Sequence, residues 1–423
     1  MASLTEYGHL AADGLWTGAF RAAMNALVSQ GGGTLTVPQG RYLSAPIRLY
    51  SGITLHLEQG AQIVFTDDEA LFPLVDMEFE GIPGKAYMPC LYALDAQNVG
   101  ITGAGTLDGS GGKWWEALKS GALKHPRPFL VCFQNCANVR MDGVTLQNSP
   151  CWTVHPLYCD DVAITNLRIY NPADSPNTDG INPNSSSNVR IADCLIDVGD
   201  DCIAIKAGTE DTPKKRACEH IVVERCRMLH GHGGVVIGSE MSGGVRDVRV
   251  ENCVFIGTDR GIRLKTRRGR GGAAQRLSFR NIEMRDVLCP FVFNMYYFCG
   301  KGGKLPFVRD KAPHPVGGGT PQLSDISMEQ VTVRGATACA GFLYGLPESP
   351  VRRVRIADCT VEMIPGSPGK PAMMDDLDDM EAAGLYLRNG EDIDIRGLRV
   401  EGQRGTVLDA DSSVWLSNGE DRQ

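Results

Sequence analysis

The sequence predicts an all-β solenoid, a parallel β-helix closed at its N-terminal end by a capping helix. Two observations carry that expectation. One short phrase, two strands of alternating polar and apolar residues broken by a polar bend, returns along most of the chain. Helix-period patterning is nearly absent between Asn138 and Arg276, so helical solenoids and βαβ folds fit poorly.

The phrase reads NVGITGAGTLDG from Asn98, NVRMDGVTLQN from Asn138, DVAITNLRIYN from Asp161 and NVRIADCLIDV from Asn188. It returns as HIVVERCRML from His220, DVRVENCVFIG from Asp247 and RLSFRNIEMRD from Arg276, and again from Asp325, Arg353 and Asp392. Between Asn138 and Arg276 the copies lie about 23 to 32 residues apart, the spacing of stacked coils. Inward Val, Ile, Leu and Cys fill such a coil. With no export signal the 14 Cys are expected as reduced, buried fillers, and no CxxC pair marks a zinc site. An amphipathic stretch at 16–30 caps the open end of the core, coils run over 31–402, and a polar, loosely held tail follows at 403–423, all in one domain. Segments 67–95, 109–128 and 301–322 are too long and irregular for coils. They read as insertions gathered on one face.

A net charge of −8 argues against nucleic acid as the main partner. No run of about 18 apolar residues predicts a membrane span. Residues 1–14 are polar and carry no apolar signal segment, so a cytoplasmic protein is expected, or a secreted one if the start has been trimmed. The oligomeric state is open.

Four motifs concentrate the chemistry: NTDG at 177–180, GDD at 199–201, GHG at 231–233 and RLK at 263–265. From Asp179 to Asp201, to His232 and to Arg263 the steps are 22, 31 and 31 residues, each about one coil. Stacked coils therefore place three carboxylates, an imidazole and two cations in one column on one flank. Neighbouring carboxylates suit glycoside hydrolysis, in which one acid gives a proton to the leaving oxygen and an ionised one activates water or attacks the sugar. Adjacent strand residues face opposite ways, so Asp200 and Asp201 share a cleft only at a bend, which Gly199 supplies. Arg263 and Lys265 are two apart and share a face, where they fit a sugar carboxylate. Taken singly these motifs are ordinary: a solvated Asp-Asp turn, a loop histidine, a basic loop at Arg267, Arg268 and Arg270.

Together, SPNTDGINP, GDDCIAIKAG, GHGGVVIGSE and RGIRLKTRRGRGG resemble glycoside hydrolase family 28, the polygalacturonases. GGGTLTVPQGRY and NSPCWTVHP extend the likeness over roughly 7–402. The resemblance implies a right-handed parallel β-helix and hydrolysis with inversion, acting on an acidic galacturonan and needing no metal or cofactor. It implies Asp200 as proton donor, Asp179 and Asp201 as the pair activating water, and His232 as support for the acid. Substrate binding falls to Arg263, Lys265, Asn177 in NTDG and, by a looser match, Tyr296. Lys206, Trp114 and Trp115 are further candidates for sugar contact. The YYFC segment and the basic string after Lys265 resemble bacterial exo-acting members, and the insertions could build the wall such action needs. Alternatives are rhamnogalacturonan or xylogalacturonan hydrolysis, a pectate-lyase-like enzyme dependent on Ca²⁺, and a non-catalytic sugar-binding β-helix.

Overall fold

The computed structural model describes residues 1–417. The chain divides into two compact units, Met1–Asp201 and the part from Cys202 onward.

In the first unit the helix Thr17–Ser29 buries Ala19, Phe20, Ala23, Met24 and Leu27. That one-sided apolar stripe is what a cap laid over an open core requires. Parallel ladders follow. Ile53–Leu57 pairs with Gln97–Gly103, which pairs with Ala137–Asp142, then Asp160–Thr165, then Ser187–Ala192. Val99, Val139, Val162 and Val189 stack in register along it, as do Ile101, Met141, Ile164 and Ile191, and all eight are buried. A separate sheet joins Ile47–Leu49, Leu91–Leu94, Val131–Gln134 and Val154–Leu157.

The second unit repeats the scheme. One ladder runs from Cys218–Glu224 through Val245–Ile256, Ala273–Arg285, Gln322–Ala336 and Val351–Ala357 to Gly390–Arg396. Another sheet stacks Gly233–Gly238, Arg260–Lys265, Cys289–Asn294, Cys339–Tyr344, Ala383–Arg388 and Arg404–Ala410.

The first residue of each repeat copy takes a left-handed backbone, with φ of 54° at Asn98, 52° at Asn138, 57° at Asp161 and 55° at Asn188. Asn and Asp tolerate that conformation best among residues with a Cβ. Their side chains also meet along the stack. Asn138 Nδ2 donates to Asn98 Oδ1 at 2.5 Å and Asn188 Nδ2 to Asp161 Oδ1 at 3.1 Å. In the second unit Arg276 and Arg353 occupy the same turn position and bond Asp247 and Asp325 at 2.7 and 2.6 Å.

Two boundaries differ from expectation. Coils do not stop at 402: Arg404–Ala410 pairs with Ala383–Arg388, and Val414–Leu416 pairs with Gly390–Arg396. Arg404–Ala410 is almost wholly exposed, so its composition reads as a tail. Residues 418–423 of the expected tail lie outside the described residues. The first insertion ends early, because Leu91–Leu94 is already a coil strand, and its body is the antiparallel hairpin Leu74–Phe79 with Ile82–Tyr87. The second insertion contains the helix Gly112–Ser120 and the third a short turn, Pro306–Arg309. A fourth insertion occupies 364–382, where the string PGSPGKP is a loop signal. Thirteen of the 14 Cys are buried, only Cys299 being partly exposed.

Candidate active site

In the first unit, the loop after Arg168–Tyr170 returns to the sheet at Ile181 and Asn184, which bridge Val154 and Leu157. Asp179 sits just before that return. Its carbonyl accepts from Thr153 N at 2.8 Å, and its Oδ2 accepts from Asn182 Nδ2 at 2.9 Å. One position further, Gly180 N donates to Asp201 O at 3.0 Å, so the NTDG and GDD segments are stacked backbone to backbone. One carboxylate oxygen from each of Asp179, Asp200 and Asp201 lies within 4.8 Å of the other two. Asp179 and Asp201 are 3% and 1% exposed, while Asp200 is only half-buried. Asp200 Oδ1 also accepts from Asp201 N at 2.9 Å, which fixes the bend between the two acids.

Gly199 serves this bend by its missing side chain rather than by unusual dihedrals. A Cβ there would lie 2.4 Å from Ser175 O and 2.6 Å from Pro172 O. The facing turn is itself tied, with Thr178 Oγ1 donating to Ser175 O at 3.1 Å and Gly199 N to Thr178 Oγ1 at 3.3 Å. Arg127, which no sequence pattern marked, anchors the same turn from beneath. It is 3% exposed and donates to Pro150 O, Pro176 O and Asn177 Oδ1 at 2.8, 2.8 and 2.7 Å. The Asn177 carbonyl oxygen is therefore held by protein.

In the second unit, Arg263 and Lys265 lie side by side on Arg260–Lys265, opposite Val236 and Gly238 on one neighbour and Val292 and Asn294 on the other. Ile262 and Leu264, which alternate with them, are fully buried, as strand alternation demands. Although they point away from those core residues, Arg263 and Lys265 are only 3% and 7% exposed. Tyr297 accounts for part of this, its ring centroid lying 5.8 Å from the guanidinium and 5.3 Å from the ammonium. The 364–382 insertion also reaches the pair: Met373 Sδ is 3.0 Å from Arg263 Nη2. Arg260 holds that insertion by donating to Pro371 O and Lys370 O at 3.1 and 2.8 Å. His232 is exposed at the entry to Gly233–Gly238.

Several side chains take places other than those expected. Tyr296 is not the ring beside Arg263 and Lys265. It is 1% exposed and packs edge-on against Tyr344 at 4.9 Å, and its neighbour Tyr297 holds the position beside the cations. Both tyrosines lie just past the end of Cys289–Asn294, so strand alternation does not say which of them faces the cations. Trp114 is 3% exposed and packs on Phe72 and Tyr87 at 5.1 Å each, so it holds an insertion. Trp115 Nε1 donates to Ser149 O at 3.0 Å. Lys206, 4% exposed, faces Glu240 at 3.5 Å. Arg267, Arg268 and Arg270 form no solvated loop. They are buried, with Glu210 bridging Arg267 and Arg270 at 2.5 Å each and Glu348 clasping Arg268 at 2.6 Å. Burial pushes the Glu210 carboxyl up, but the charges of Arg270 and Arg267 and its hydrogen bonds hold it below its ordinary range.

The family model for glycosyl hydrolases family 28 matches residues 34–368. The chain belongs to that family. A probable polygalacturonase of Vitis vinifera is 34% identical over 381 residues, 86% of this chain and 74% of that one. An endo-polygalacturonase of Pectobacterium carotovorum is 31% identical over 63% of this chain and 68% of its own. Among solved structures, a hyperthermoactive exopolygalacturonase from Thermotoga maritima superposes with a TM-score of 0.79 at 30% identity, covering 96% of this chain and 93% of that one. The fold is the right-handed parallel β-helix, and the protein is a glycoside hydrolase.

Proposed function

We propose that this family 28 hydrolase cleaves α-1,4-galacturonosidic linkages of pectin-derived galacturonan, releasing product from a chain end. The observation that carries the hydrolytic roles is the carboxylate cluster, with oxygens within 4.8 Å. Asp200, the most accessible of the three, gives its proton to the leaving oxygen. Asp179 and Asp201, deeper and fixed, hold and deprotonate water, and His232 supports the acid. Arg263 and Lys265 bind the uronate carboxylate, the first by its fork of N–H donors and the second as a point charge, with Tyr297 beside them.

The cluster is tighter than the roughly 6.5–9.5 Å usual for inverting pairs. Inversion therefore rests on the family resemblance, and the anomer first released from trigalacturonate, followed by proton NMR, tests it. Chain-end action is supported by the hairpin that roofs the outward side of the first unit's sheet. Phe79 stacks on Phe129 and Trp152 at 5.5 and 5.9 Å, over Tyr92 and Cys132. The likeness to the Thermotoga maritima enzyme points the same way. Monomer release from polymer is expected, and random mid-size fragments would refute chain-end action. Asp200→Asn is expected to lower kcat by several powers of ten with folding intact. Activity is expected to survive a chelator with no ultraviolet-absorbing unsaturated product, whereas a lyase would lose activity.

A further inference from the structure

We propose that the N-terminal unit carries a second binding site for an anionic sugar, remote from the carboxylate cluster. A cavity of about 330 Å³ opens between the helix Thr17–Ser29, the strand Ile47–Leu49 and the foot of the hairpin. That volume is at the small end of ligand sites. Phe20, Met24 and Ile47 form an apolar floor, each 3% exposed or less, against which the C–H face of a pyranose packs. The rim carries Arg21, Arg48 and Tyr50. The Arg48 guanidinium lies 5.6 Å from the Tyr50 ring, which preorders it without engaging its N–H edge.

Charge identifies the occupant. The chain is acidic, with net charge −8, and many of its exposed arginines are paired, as Arg276 is with Asp247 and Arg353 with Asp325. Arg21 and Arg48 face no carboxylate among the described residues. Two unpaired forks above an apolar floor fit an ionised uronate, bound edge-on by guanidinium and flat by the floor. Site and cluster are separate. Arg48 pairs in register with Tyr92, which pairs with Cys132 and then His155, and Val154 bridges Ile181. Those four strand steps of about 4.8 Å give roughly 19 Å of sheet, with the hairpin seated on it. The site would hold one stretch of a galacturonan while another is cut, and in naming that ligand it rests on the proposed function.

Titration calorimetry tests this on the full chain carrying Asp200→Asn, which removes turnover. Trigalacturonate is expected to give two binding events. Arg21→Ala with Arg48→Ala should weaken one by at least about tenfold, the minimum for losing charge-assisted hydrogen bonds, and spare the other. With Asp200 intact, the same double variant should cleave trigalacturonate at the unaltered rate and process dilute polymer more slowly. An isotherm indifferent to both arginines would overturn the site, as would equal binding of neutral galactotriose or of inorganic phosphate. If the wild-type chain fails to cleave trigalacturonate while the arginine-dependent event persists, the hydrolytic reading falls and the site stands.

Discussion

Replacing Gly199 by alanine tests whether the acid cluster depends on backbone closeness at its bend. The added Cβ would meet Ser175 O at 2.4 Å and Pro172 O at 2.6 Å, where ordinary contact begins at 3.4 Å. The deficit is 3.4 − 2.4 = 1.0 Å against a carbonyl that cannot swing aside, because Thr178 already bonds it and Ser175 N donates to Pro172 O at 3.0 Å. Either the Asp200–Asp201 bend or the turn carrying Asp179 must give by most of an ångström. Overpacking of this kind costs about 1–3 kcal/mol, and a displacement near 1 Å in a reacting array costs about 100-fold in rate. The expected outcome is a folded protein with a slightly lower Tm, kcat down about 100-fold on trigalacturonate, and KM little changed, since Arg263 and Lys265 are untouched. Calorimetry and initial rates measure both quantities. Wild-type kcat in a variant of unchanged stability would refute the reasoning.

Other substitutions separate site from scaffold. Tyr297→Ala, which removes a ring that is 8% exposed, should both lower stability and raise KM, while Tyr296→Ala should cost about 3–5 kcal/mol as a buried aromatic truncation and leave KM unchanged; denaturant melts and saturation curves distinguish the two. Arg268→Met leaves Glu348, 5% exposed, without its partner and frees the carbonyls of Phe307 and Ala312. A loss of about 3–5 kcal/mol is expected, with new protease cleavage within 301–322 as the readout. Lys311 lies over Tyr296 and Tyr344 at 3.6 and 5.2 Å. Burial pushes its ammonium down from 10.5 to about 8, against the pull of Asp376, Asp375 and Asp310, with Arg268 adding to the depression. A depressed lysine penalises the folded state fully below about pH 8, and the penalty fades as pH rises toward 10.5. Lys311→Met should therefore raise Tm at pH 7, and the gain should vanish near pH 10.5.

The repeat phrase made the coils legible because each copy pairs a polar left-handed turn with alternating inward residues, and both are local properties. The acids, Arg263 and Lys265 were legible as motifs for the same reason. What escaped depends on contacts distant in sequence. Arg127 lies 50 residues before the Asn177 that it holds, and nothing around it signals a buried cation. Met373 reaches Arg263 across 110 residues from a segment that reads only as loop. Tyr296 and Tyr297 are neighbours just beyond the strand Cys289–Asn294, where alternation no longer says which of them faces the cations. The buried Arg267, Arg268 and Arg270 looked solvated because their partners Glu210 and Glu348 lie 57, 80 and 60 residues away.

The left-handed Asn and Asp at the start of each copy bear on how such a chain lengthens over evolutionary time. Asn188 bonds Asp161 across 27 residues, one coil, so an in-frame duplication of one coil would deliver the new turn, its tolerant residue and its bonding partner together. Growth by whole coils needs no compensating change elsewhere. Inheritance can therefore copy the scaffold cheaply, while the insertions that shape specificity must be invented one at a time.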